Sequence, residues 1–128
     1  MRRRALSDNV IRGLLRRAEF PLLGANVRVT SGHFDRPEPF TVLETGGGVR
    51  LAVVGITSGG FGGRPGIEPG PLDEAIESHL PLADEHDVRL LLPHVGAPGD
   101  SGLAVRFGAL NVIVGGHSHT HLNRPWQR

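Results

Sequence analysis

At 128 residues, with 38% hydrophobic content, the chain has room for one domain at most and for a modest core. It has no cysteine, which excludes disulfides and thiolate metal sites, so any transition metal must be held by histidines and carboxylates. The net charge is only +1 and every basic residue is arginine; the cluster Arg2, Arg3, Arg4, Arg12, Arg16 and Arg17 has no interleaved aromatics, which favours a solvated helix face over a nucleic-acid surface.

Arg2-Arg3 hints at a twin-arginine export signal, but Arg12, Arg16, Arg17 and Glu19 interrupt any apolar region behind it. No stretch is apolar for long enough to cross a bilayer, so no membrane partner is expected and the chain as it stands reads as cytoplasmic. Ser7 or Asp8 is placed to cap a first helix over residues 8–19, with Val10, Ile11, Leu14, Leu15 and Ala18 on its apolar face. Residues 22–27 then read as a strand, and residues 31–39 as a polar loop carrying His33. Residues 40–44 and 49–57 form a hairpin around Gly46-Gly47-Gly48.

Residues 58–71 are a Gly/Pro-rich loop. It follows a strand, as phosphate loops do, but lacks the required order ending in Gly-Lys-Ser/Thr, so a flexible surface loop is expected. A helix is expected over residues 72–86, with Asp73 and Glu74 favouring its first turn and Pro81 kinking or splitting it. A strand ending at His94 follows, then a loop to Ser101, a short helix over residues 102–110, and a last strand at Val112-Ile113-Val114. His33, His79 and His86 read as surface residues.

Two apolar runs end in histidine. Val88 to Leu92 leads through Pro93 to His94 and Gly96; Pro93 has no N–H and therefore suits the end of a strand. Val112 to Val114 leads to Gly115-Gly116-His117-Ser118-His119-Thr120. Ligand sites of open α/β sheets gather at the carboxyl ends of strands, and glycines there let the backbone approach a ligand closely. If residues 117–119 were extended, His117 and His119 would point the same way with imidazoles about 6–7 Å apart. That separation suits one histidine on each of two ions about 3.5–4 Å apart. His94, on a neighbouring parallel strand, would complete a set of three imidazoles, which suits zinc, manganese, iron or nickel and not calcium or magnesium. The plain alternative is a turn with solvated histidines.

The segments Leu92-Pro93-His94-Val95-Gly96 and Asn111 to Thr120 resemble the second half of a metallophosphoesterase catalytic domain, in the 5′-nucleotidase branch of the calcineurin-like superfamily. Phe20 to Val27, Gly48 to Thr57, and Asp100 with Leu103-Ala104 match further segments of that branch in order. The resemblance spans about Leu6 to Pro125. It implies an α/β fold: part of an α/β/β/α sandwich, mainly one sheet with flanking helices. It also implies two divalent transition metals (Mn, Zn, Fe or Ni), with His94 and His117 on one and His119 on the other, and a phosphate-ester substrate of the nucleotide kind. Pro93 stands where Ser is usual and Asn111 where Asp is usual. The family's earlier motifs (Asp-x-His, Gly-Asp and Gly-Asn-His) do not occur ahead of Phe20.

Residues 1–128 therefore read as an incomplete catalytic domain, without appreciable activity alone. The competing reading is a non-catalytic remnant or interaction module holding one metal through His94, His117, His119 and His121. Asp35, Asp84, Asp87 and Asp100 are the candidates for a bridging carboxylate, and only Asp100 lies near the histidines in sequence. One apolar sheet face should remain uncovered, calling for a second copy or a missing half as partner.

Overall fold

The computed structural model describes residues 8–32, 35–59, 65–81 and 85–127. The expectations for the arginines at positions 2–4, for Ser7, His33 and Asp84, and for most of the glycine loop fall outside these residues. The chain forms a mixed α/β fold in the order α1 (Asp8–Arg17), β1 (Val27–Val29), β2 (Phe40–Glu44), β3 (Arg50–Thr57), β4 (Ile67–Pro69), α2 (Leu72–His79), β5 (Val88–His94), α3 (Ala97–Arg106) and β6 (Val112–Ile113).

The principal sheet has the order β2-β3-β5-β6. β2 and β3 form the expected hairpin, registered Phe40 on Val54 and Glu44 on Arg50. It is closed by a Thr45 N–H to Val49 carbonyl bond of 2.9 Å, with Gly48 at φ 78°. β3, β5 and β6 run parallel, so α2 and α3 serve as crossovers. The sheet grows in one direction through both crossovers, and a constant hand puts both helices on the same face.

Register shows which side chains look where. Val54, Leu91 and Ile113 lie on the helix face, packed with Ile76 of α2 and Leu103 of α3. Ile76 and Leu91 are both 0% exposed and form the centre of the core. The alternate residues of β5 (Leu90, Leu92 and His94) look out on the opposite face. Part of that face is covered: the backbone of residues 22–25 lies over Gly55, where an added Cβ would collide with the Leu23 side chain, and Ala25 N–H donates to the Gly55 carbonyl. Across β5 and β6 it stays open, with Leu92 44%, Val112 42% and Val114 49% exposed. The uncovered apolar face expected from the sequence is therefore present.

Several elements differ from the sequence reading. Residues 22–27 are not a strand: Leu23 makes a single bridge to Glu38, and the ladder begins only at Val27. There β1 pairs with β4 as a two-stranded antiparallel ribbon, a partner hidden within the Gly/Pro-rich segment. α2 ends at His79, ahead of Pro81, which cannot continue a helix. α3 begins at Ala97 and not at 102, because Pro98 presets the helical φ of the first turn. On α1, Val10 and Leu14 are 47% and 58% exposed, so its expected apolar face is only partly covered.

Candidate functional site

His94 is the last residue of β5 and pairs in register with Thr57, the last of β3. Pro93 sits beyond the last pair that β6 makes with β5, so its missing N–H leaves no gap in that ladder. The strand end is fixed from the side by Asn26, the one buried polar residue among those described. Its Nδ2 donates to the carbonyls of Thr57 (2.8 Å) and Gly70 (3.1 Å), and its Oδ1 accepts from Thr57 N–H (2.9 Å). Ser58 N–H in turn donates to the His94 carbonyl. Asn26 thus ties the ribbon to the end of the sheet that carries His94. Sequence reasoning saw Asn26 only as part of a resemblance and not in this role.

Beyond β6 the chain turns through Gly115 and Gly116 and brings the His117 ring against His94. The ring centroids are 5.0 Å apart and the planes 74° apart, an edge-on pair. Gly116 lies directly beside His94: a Cβ there would come within 3.2 Å of His94 Nδ1.

The extended geometry expected for residues 117–119 is not what forms. His117 and His119 have φ of 81° and 55°, left-handed values that L residues seldom adopt. Among the described residues only His117 forms a ring pair with His94. His119 lines the same open groove but makes no ring contact with either. Such conformations cost about 1–3 kcal/mol each and persist only where surroundings enforce them.

Here the enforcing contacts come from the start of α3. Gly96 N–H donates to the Gly116 carbonyl (3.1 Å), and Ala97 N–H to Ser118 Oγ (3.0 Å). Ala97 is the first residue of α3, so Ser118 satisfies one of the donors that every helix start leaves unpaired. Ser118 Oγ also lies 2.8 Å from Thr120 Oγ1.

Of the candidate carboxylates, Asp87 accepts from Arg50 N–H at the far end of β3, and Asp35 is exposed. Among the described candidates Asp100, in the first turn of α3, is the one at the histidine turn: its carboxylate lies over Gly115 and lines the groove with His117 and His119. Its Oδ1 is buried without a hydrogen-bond partner, and burial pushes its pKa above the ordinary 3.8. His121 is exposed. His79 and His86 are half-buried rather than on the surface, and His79 packs on the Phe40 ring at 6.3 Å.

Imidazole donors of this kind suit a divalent transition metal, and here the ring at the end of β5 meets one from the turn after β6. Yet among the described residues no three His, Asp or Glu side chains gather closely enough to hold an ion. His94 and His117 are fit to supply two ligands; the described residues do not close the shell.

Comparison with solved structures places this fold. The chain superimposes on sulfate thiohydrolase SoxB of Thermus thermophilus, determined with glycerol, with a TM-score of 0.73 and 23% identity over 93% of the chain. It also matches a 5′-nucleotidase from Candida albicans (TM-score 0.59, 18% identity, 77% of the chain). A hypothetical protein of Thermus thermophilus matches with TM-score 0.59 and 22% identity over 88% of the chain. The chain spans 23%, 21% and 41% of the lengths of those three proteins. The fold is theirs. No family model matches the sequence, and no curated protein does.

Proposed function

We propose that this chain is part of a metal-dependent phosphoric ester hydrolase of the metallophosphoesterase type, with His94, His117 and His119 among the metal donors. The observation that carries this reading is the His94–His117 pair, one ring at the end of β5 and the other on the turn that follows the parallel strand β6, in a fold shared with two hydrolases. In such a site two ions (Mn, Zn, Fe or Ni) would polarise the phosphoryl oxygens and lower the pKa of a bound water. Among the described residues no three such donors gather; on this reading the remaining donors are supplied by other residues, and the chain alone is expected to turn over little or no substrate. The name of the 5′-nucleotidase neighbour supports a nucleotide as substrate. The open face of Leu92, Val112 and Val114 supports a partner: either the rest of such a domain or a second copy.

A second reading is a non-catalytic module, favoured by the absence of three gathered donors among the described residues. Zinc or manganese titration of the chain, of His94→Ala and of His117→Ala, alongside a p-nitrophenyl phosphate assay, tests both. Weak binding lost in both variants, without turnover, is the expected result. Two tightly held ions with turnover would overturn the need for outside donors. Binding that is absent, or the same in all three proteins, would leave the non-catalytic reading.

A further inference from the structure

Asp100 occupies a position that ordinary surface packing does not explain. It projects from the first turn of α3 onto the backbone of Gly115, at the point where β6 gives way to the histidine turn. A Cβ on Gly115 would collide with Asp100 Oδ2 and come within 2.7 Å of Cγ. One carboxylate oxygen is buried and has no hydrogen-bond partner. A buried carboxylate oxygen without a partner costs stability, so its placement calls for a physical explanation. The same turn holds two non-glycine residues, His117 and His119, at positive φ, and it needs support from outside itself.

Two of its supports are already described, the Gly96 N–H on Gly116 and the Ser118 hydroxyl on Ala97. Both lie on the carboxyl-terminal side of Gly115. On the β6 side Val114 N–H donates to the Leu91 carbonyl (3.0 Å), and at Gly115 itself the group in contact is Asp100.

We infer that Asp100 is a positioning residue for His117: its carboxylate fills the space left by the missing side chain of Gly115 and fixes the path by which the turn delivers His117 to His94. Asp100 and Gly115 are then a matched pair, one supplying bulk and the other yielding room. The contact is made through shape, so an amide of the same outline serves as well as the carboxylate. This holds whether or not the turn binds metal, so the test uses none.

A double-mutant cycle reads the pairing directly. Gly115→Ala is expected to lower the melting temperature strongly in the parent. In the Asp100→Ala background it should lower it much less, because the methyl enters the vacated space. Equal losses in both backgrounds would overturn the pairing.

Histidine ring NMR signals read the positioning role. Asp100→Ala is expected to shift the His117 and His94 rings while His79 and His86 stay in place, and Asp100→Asn to retain the parent spectrum at those rings. If His117 does not move in Asp100→Ala, Asp100 does not position it, even where Gly115→Ala proves too unstable for the cycle.

Discussion

The His94 ring lies edge-on to the His117 ring, with centroids 5.0 Å apart, although the two residues belong to different segments and only one of them ends a strand. β5 delivers His94 by its register with β3, Thr57 against His94. His117 arrives by a turn whose backbone is bolted to the start of α3. The pair is thus held by two independent devices, and each can be loosened separately.

Removing the hydroxyl of Ser118 leaves the first N–H of α3 without an acceptor. Ser118→Ala should cost about 1 kcal/mol, the usual worth of a helix-start side-chain bond. Urea unfolding followed by far-UV circular dichroism would measure this, and the His117 ring signals should shift with it.

Asn26 is the corresponding device for His94. Asn26→Ala removes three hydrogen bonds at once and leaves partly buried groups of Thr57 and Gly70 unpaired. A loss of about 3 kcal/mol is expected, again read by urea unfolding. Asn26→Asp should recover little of it, because a carboxylate cannot donate to the two carbonyls.

Leu91 and Leu92 are neighbours on β5 with opposite fates, the first 0% and the second 44% exposed. Leu91→Ala should cost about 2–5 kcal/mol through the cavity left between Ile76 and Leu103. Leu92→Asn should cost no more than about 0.5 kcal/mol and should raise solubility by breaking the open apolar face. A large loss of stability in Leu92→Asn would show that this face is covered in solution, and light scattering would show whether by a second copy.

Burial raises the pKa of Asp100 above 3.8. The folded chain therefore holds that proton more tightly than the unfolded chain does. The resulting stability is fully present below pH 3.8 and is lost as pH rises through the folded value. Asp100→Asn has no such step. The stability of the variant relative to the parent should thus grow as pH rises through that window and then level off. A relative stability that falls with pH would mean that the carboxylate finds a donor in solution.

Much of this was legible in the residues themselves. The β2–β3 hairpin, the apolar run of β5 ending at His94, and β6 leading into the glycine pair follow from alternation, β-branched content and the local freedom of glycine. These signals lie within a few residues of the structure they dictate. What the sequence could not disclose depends on partners far along the chain. β4 is a strand because β1 lies beside it; Ser118 supports α3 because the fold returns it to Ala97; Asp100 meets Gly115 across a crossover. The positive φ of His117 and His119 belongs with these. Local preference alone would have left residues 117–119 extended with both imidazoles on one side. The tertiary contacts of the turn with α3 outweigh that preference, and they decide which histidine meets His94.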